Sequence, residues 1–130
     1  LIIRDQTARV TGRQDRTLAG LRAQKSLAVQ MRTALLRGNL DCFGELLGEA
    51  WTQKKKFSPL ITTPHIDEIY DLALRNGARG GKVTGAGGGG HLLFYCDPGR
   101  REQVRAALTG FGATVAEIGF DRAGLTTWQA

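Results

Sequence analysis

Two cysteines and two histidines are all that 130 residues contain. Cys42 and Cys96 lie far apart in sequence, on a predicted helix and a predicted strand. That scarcity argues against a disulfide framework and fits two buried, reduced thiols in a cytoplasmic protein. It also leaves a zinc site without support. No apolar run approaches the length of a membrane span. No basic-then-apolar segment resembling a secretion signal opens the chain. No internal repeat is visible, and only one stretch is rich in glycine.

What is present suits one domain, residues 1–130, with an ordinary core. Hydrophobic residues make up 42% and charged residues 23%, both normal for a soluble globular chain. The net charge of +6 is uneven. Residues 1–37 carry Arg4, Arg9, Arg13, Arg16, Arg22, Lys25, Arg32 and Arg37 against Asp5 and Asp15, and the remainder balances. One reading of that segment is a stand-alone module binding an anion or nucleic acid. The others are a solvated helix face or a surface for another domain. The segment has no aromatic residue, hence no platform for base stacking.

The glycine-rich run is Gly85-Ala86-Gly87-Gly88-Gly89-Gly90. It sits between Lys82-Val83-Thr84 and Leu92-Leu93-Phe94-Tyr95-Cys96, both strand-like. Ordering each glycine costs roughly 0.5–1 kcal/mol relative to alanine. Such a loop suits a backbone with positive φ whose N–H groups line an anion-binding concavity. The spacing Gly85-x-Gly87-x-x-Gly90 matches a dinucleotide fingerprint, but that motif opens a helix and this one leads into a strand. A Walker A loop needs Lys-Ser or Lys-Thr after its last glycine, and neither is present. The plain alternative is a hairpin turn without a ligand, though hairpins usually need only about two to five loop residues.

Residues 1–16 are polar without periodicity and are expected to be irregular or frayed. Leu18, Leu21, Leu27, Ala28, Met31 and Leu35 predict a helix over 17–36, ended by Gly38-Asn39. Leu40, Phe43, Leu46, Leu47, Ala50 and Trp51 predict a second helix to about Lys55, antiparallel to the first. Thr63-Pro64 opens a third helix with Ile66, Ile69, Tyr70, Ala73 and Leu74 inward, stopped by Gly77. Strand, loop and strand follow. Asp97-Pro98 then starts a fourth helix in the same way, with Val104, Ala107, Leu108 and Phe111 inward. Alternation of Thr114, Ala116, Ile118 and Phe120 predicts a third strand over 113–120, with a fourth over 125–128 as a further candidate. The fold class is α+β: two layers, an antiparallel sheet and helices on one face.

The segment Gly80-Gly81-Lys82-Val83-Thr84-Gly85-Ala86-Gly87-Gly88-Gly89-Gly90 resembles the third signature motif of the GHMP small-molecule kinases. Trp51-Thr52-Gln53-Lys54-Lys55-Lys56, Thr63-Pro64-His65-Ile66-Asp67-Glu68-Ile69-Tyr70 and Asn76-Gly77-Ala78-Arg79-Gly80-Gly81-Lys82 resemble the branch acting on D-glycero-D-manno-heptose 7-phosphate. The similarity runs over residues 9–127. It implies a ferredoxin-like C-terminal domain of an ATP-dependent sugar kinase that requires Mg²⁺. This chain lacks the family's second, serine-containing glycine loop and its catalytic carboxylate, and it starts at Leu1 without Met. It therefore reads as one domain of a longer kinase. Alone it is expected to be inactive, to hold ATP weakly, and to dimerise through surface left uncovered.

The resemblance implies that Gly85, Ala86, Gly87, Gly88 and Gly89 contact phosphate and substrate through backbone donors. Thr84 offers a hydroxyl at the loop entrance, or is simply a β-branched strand residue. Lys82 neutralises a phosphate, or snorkels from a strand edge. His65 and Asp67 are candidates for a sugar hydroxyl, with helix capping as the other reading of Asp67. Lys54-Lys55-Lys56 suits the negative pole of its helix; Lys55 is the candidate within it for an anionic sugar phosphate. His91 reads as structural. No metal ligand set is expected.

Overall fold

The computed structural model describes residues 3–4, 14–85, 87–124 and 126–128. Its elements are α1 (Gln14–Leu36), α2 (Leu40–Lys55), α3 (Pro64–Arg75), β1 (Ala78–Val83), β2 (Leu92–Cys96) and α4 (Arg101–Gly110), the last preceded by a 3-10 turn at Pro98–Arg100. The architecture is α+β. The expectation for 1–16 falls mainly outside the described residues; Ile3 and Arg4 are helical.

The long helices form an antiparallel pair. Gly38 turns the chain at φ +68°, and the Asn39 side chain accepts from the Cys42 N–H at 3.1 Å. Leu27 and Ala34 of α1 pack on Leu46 and Ala50 of α2. Gln24 adds a hydrogen bond to the Ala50 carbonyl at 2.9 Å. The expected stripe on α1 is buried only in part. Leu18, Leu21, Ala28 and Leu35 are exposed, because no other described element reaches their side of the helix. Cys42 and Cys96 are free thiols, half-buried rather than fully buried.

The start of α3 follows its residues closely. Thr63 is extended, and its Oγ1 accepts from the Ile66 N–H at 3.2 Å, with Pro64 in the first turn. Two apolar clusters then form. Trp51, Ile61, Ile66, Tyr70 and Val83 make one; Ile69, Ala73, Ala78, Val104 and Leu108 make the other, with Leu92, Phe94 and Cys96 against it. Alternation along β2 turns Tyr95 the other way, where Phe43 of α2 meets it edge-on at 6.1 Å. The expected helical layer on one face is therefore α3 and α4, while α2 packs against β1 from the Gly80 side. That contact is backbone on backbone: a methyl group at Gly80 would overlap the Gly44 carbonyl oxygen and lie 2.8 Å from the Gly48 nitrogen.

β1 and β2 pair antiparallel, with Lys82 opposite Leu93 and Gly81 opposite Phe94. Thr84 donates its N–H to the His91 carbonyl at 2.9 Å, so by alternation the amide groups of Gly81 point away from β2. The Tyr70 hydroxyl takes both, accepting from Gly81 N–H at 3.3 Å and donating to its carbonyl at 3.2 Å. Burial raises the Tyr70 pKa, which keeps the phenol protonated for this double duty. Tyr70→Phe should leave a buried donor and acceptor unsatisfied and cost about 1–3 kcal/mol, read as a lower urea midpoint with an unchanged slope.

The expected third strand is not seen: 113–120 has no ladder partner among the described residues, and Ile118 and Phe120 are 65% and 90% exposed. Tyr70 takes the outward amide groups of Gly81 on β1, and the segment does not add to β2 either. The tail instead runs back along α4, where Arg101 pairs with Glu117 at 2.8 Å. Residues 126–128 of the expected fourth strand are irregular, and Leu125 lies outside the described residues. Asp97 also departs from expectation. It makes no cap bond, because its carboxylate takes the Arg79 guanidinium at 2.7 and 3.0 Å. That hydrogen bond holds the Asp97 carboxyl below its usual range. Phe111 and Leu74 lie at the margin of the core rather than inside it.

Candidate functional site

The glycine loop joining β1 to β2 is pinned at three points. At its base, Thr84 donates to the His91 carbonyl from both N–H and Oγ1, at 2.9 and 3.1 Å. In its middle, Gly88 N–H donates to the Ile61 carbonyl at 2.7 Å. Near its start, the Lys54 ammonium donates to the Gly85 carbonyl. Ile61 is an anchor because it is fully buried, at 0% exposure. The turn before it is held by Ser58, whose carbonyl accepts from Ile61 N–H and whose Oγ accepts from Leu60 N–H.

The backbone requires glycine here. Gly85, Gly87, Gly88 and Gly90 have φ of +79°, +105°, +75° and +94°. At Gly87 a methyl group would lie 2.8 Å from the Ile61 carbonyl oxygen. By contrast, nothing lies within 4 Å of a methyl at Gly85, Gly89 or Gly90. The loop thus has a docked side and an open side. Among the described residues, the N–H groups of Gly87, Gly89 and Gly90 have no protein acceptor. Uncommitted amides on a fixed loop are donors for an anion.

The lysines around the loop differ sharply. Lys55 pairs with Asp67 at 3.3 Å and lies 5.9 Å from the Trp51 ring centroid. Asp67 also accepts from Thr62 Oγ1 at 3.0 Å. These two candidates are therefore brought together, in a strut joining the end of α2 to the start of α3. Lys54, one position earlier, reaches the loop instead. Its pKa is lowered by burial and, second, by the charge of Lys82. Lys82 lies on β1, two residues before Thr84 at the loop base. Helix geometry explains the division: consecutive residues point about 100° apart, so only one of Lys54, Lys55 and Lys56 faces β1. Lys56 bonds only Gln53, at 3.2 Å.

His65 is directed elsewhere. Its ring stacks on Phe111 with centroids 5.7 Å apart. Thr84 serves the loop base, and Ala86 lies outside the described residues. Sequence reasoning singled out Lys55 and passed over Lys54 and Ile61. A lysine triplet ending a helix gave a signal for Lys54, but not its direction. Ile61 had no signal beyond being apolar. Among the described residues no group of three His, Cys, Asp or Glu could hold a metal ion, and no helix is long and apolar enough to cross a membrane.

Residues 31–114 match the family model described as GHMP kinases C terminal. The chain is 32% identical over 115 residues to D-glycero-alpha-D-manno-heptose 7-phosphate kinase of Campylobacter jejuni, covering 88% of this chain and 34% of that protein. It is 36% identical over 90 residues to L-fucokinase/L-fucose-1-P guanylyltransferase of Bacteroides fragilis, covering 68% of this chain and 9% of that protein. It thus spans about a third of the first relative's length and less of the second's. Among solved structures, L. major mevalonate kinase in complex with R-mevalonate superposes with a TM-score of 0.76 at 18% identity, covering 84% of this chain and 33% of that one. That likeness concerns the fold.

Proposed function

The chain belongs to the GHMP kinases, as a C-terminal domain of that family, and from this we propose that it serves a cytoplasmic, ATP-dependent phosphotransferase acting on a sugar hydroxyl. The proposed acceptor is D-glycero-D-manno-heptose 7-phosphate. The rest of the enzyme, in this reading, is an N-terminal portion supplying the main nucleotide loop and a catalytic carboxylate.

The observation that carries the reading is the pinned glycine loop with its open row of amides. Phosphoryl transfer is catalysed mainly by positioning and by stabilising charge on the moving group. A loop held at Thr84, Ile61 and Lys54 keeps its donors in place before the substrate arrives, so little ordering remains to be done at the transition state. Its glycines let phosphate oxygens approach the backbone closely. The described residues offer no ligand cluster for Mg²⁺. In this proposal the ion would be held by groups outside this domain, and no step here depends on it.

The test is turnover by the complete kinase carrying this domain. ATP consumption is measured with heptose 7-phosphate, fucose, galactose and mevalonate in turn. The expected result is a kcat/KM for heptose 7-phosphate at least tenfold above the others, about 1.4 kcal/mol of discrimination. Absence of turnover with every acceptor would overturn the kinase reading; preference for another acceptor would overturn the heptose assignment.

A further inference from the structure

Four cations among the described residues have carboxylate partners. Arg79 takes Asp97 at 2.7 Å and Asp41 at 3.1 Å, Lys55 takes Asp67, Arg101 takes Glu117, and Arg105 takes Glu102. Lys54 and Lys82 are not among them, yet unlike Lys56 and Arg75 they are half-buried. Among the described residues neither has a carboxylate partner; Lys54 reaches the Gly85 carbonyl, and Lys82 lies on β1 two residues before Thr84 at the loop base. Lys54 places one donor on the Gly85 carbonyl. An ammonium has three donors, so two on Lys54 remain uncommitted among the described residues, and Lys82 has no acceptor among them.

Two like charges brought together and partly dehydrated, with no counter-charge, oppose folding. The opposite end of the same strand shows the usual remedy, since three carboxylates of Asp41, Glu45 and Asp97 surround Arg79. Among the described residues no acid plays that part at the loop. A bound anion would supply the counter-charge, and the chemistry of two lysines favours one kind. Compact ammonium groups suit phosphate as point charges. A phosphate monoester is close to a dianion at pH 7, matching the two cations in number. The amides of the loop already provide donors for the group being transferred, which leaves the lysine pair for a second phosphate.

Resting on the kinase reading above, we infer that Lys54 and Lys82 together bind the phosphate monoester that the sugar acceptor already carries, and so select phosphorylated over unphosphorylated sugars. The same chemistry could be met by the phosphates of the nucleotide, and the experiment separates the two sources.

The first arm uses the 130-residue chain and two-dimensional amide NMR. Glucose 6-phosphate is the probe, with glucose and ATP as comparisons. The phosphate ester should shift the amides of Lys82, Gly85 and neighbouring loop residues, and glucose at the same concentration should not. Lys54→Met and Lys82→Met should each weaken binding about tenfold, the loss of one charge-assisted contact. Lys56→Met, which removes a charge from the same lysine run, should leave it within about twofold. Peak dispersion of each variant reports its fold, and Lys82→Arg, which keeps the charge, should retain most of the binding. Competition between ATP and glucose 6-phosphate for these amides would assign the pair to the nucleotide and overturn the inference. Equal weakening by all three methionine variants would also overturn it, since that marks general attraction rather than a site.

The second arm uses the complete kinase. Lys82→Met, which leaves the Lys54 hold on Gly85 intact, should raise KM for the phosphorylated acceptor about tenfold while leaving KM for ATP unchanged, the pattern of lost uniform binding. A kinase whose KM for the phosphorylated acceptor ignores both lysines would refute this assignment and leave the kinase reading intact. A chain that binds glucose 6-phosphate through the pair, in a protein without kinase turnover, would do the reverse.

Discussion

Gly80→Ala is expected to remove about 3 kcal/mol or more of folding stability, at the upper end of overpacking effects. The position looks permissive by ordinary standards. It is small, lies in a short strand, and has no positive φ. Its constraint comes from what stands opposite. The added methyl would overlap the Gly44 carbonyl oxygen and press on the Gly48 nitrogen and Cα at 2.8 and 3.1 Å. These are helix backbone atoms, unable to turn aside as a side chain can. Relief requires moving α2 away from β1, which would disturb Trp51 and the Tyr70–Gly81 hydrogen bonds together. A domain of this size has roughly 5–15 kcal/mol in total, so the loss should appear as a fall in melting temperature of about 10 °C or more. Gly110→Ala is the internal control. Nothing lies within 4 Å of a methyl there, at the end of α4, and alanine should be neutral or stabilise by up to about 1 kcal/mol. Similar melting temperatures for the two variants would mean that helix and strand are not in backbone contact. Gly44→Ala should fall between them, because its methyl meets the Tyr95 ring, which can rotate.

That contact also marks the limit of what can be read from residue order. The helices were legible because each carries a local code. Thr63-Pro64 caps α3, Gly38-Asn39 breaks the chain, and apolar residues recur at helical spacing in α2. The β-hairpin was legible because apolar strand-like residues flank a glycine run. Gly44 and Gly48, in contrast, carry no local message. Within α2 they merely weaken helix propensity, and their purpose exists only once Gly80 is brought against them. The same holds for the expected strand at 113–120. Its alternation is real, but Tyr70 takes the outward amides of Gly81 on β1, and the segment does not add to β2 either. Edge occupancy is a property of the assembled sheet. At the site, the glycine loop could be found from composition alone, whereas the choice among Lys54, Lys55 and Lys56 depended on the rotational position of α2 over β1. Asp67 was visible as a first-turn carboxylate; its pairing with Lys55 follows from the turn through Ser58 and Ile61.

Gly87→Ala should have the largest functional effect of any single methyl group in the chain. Two costs coincide there. The φ of +105° is a conformation that residues with a Cβ rarely adopt, costing roughly 1–3 kcal/mol. The methyl would also meet the Ile61 carbonyl oxygen at 2.8 Å and Cα at 3.0 Å, and Ile61 is fully buried and cannot retreat. The loop must therefore lift off its support. Lifting breaks the Gly88–Ile61 hydrogen bond and pulls Gly85 from Lys54, so two of the three points that hold the loop are lost. The base at Thr84 and His91 should survive, since it lies outside the displaced residues, and the core clusters do not include the loop. Stability should accordingly fall by less than in Gly80→Ala, while the donors move by an ångström or so from the reacting phosphoryl group. Misplacement on that scale lowers rates by about a hundredfold, and loss of a fixed donor lowers them by about 10²–10³. The expected result in the complete kinase is a kcat/KM reduced at least a hundredfold with a melting temperature within a few degrees of the parent. Gly90→Ala separates the two causes. Its φ of +94° imposes comparable strain, but its methyl would enter open space. A loss confined to Gly87→Ala would identify docking on Ile61 as the source of the loop's effectiveness. Equal losses would identify backbone strain, and full activity in both variants would remove the loop from the chemistry altogether.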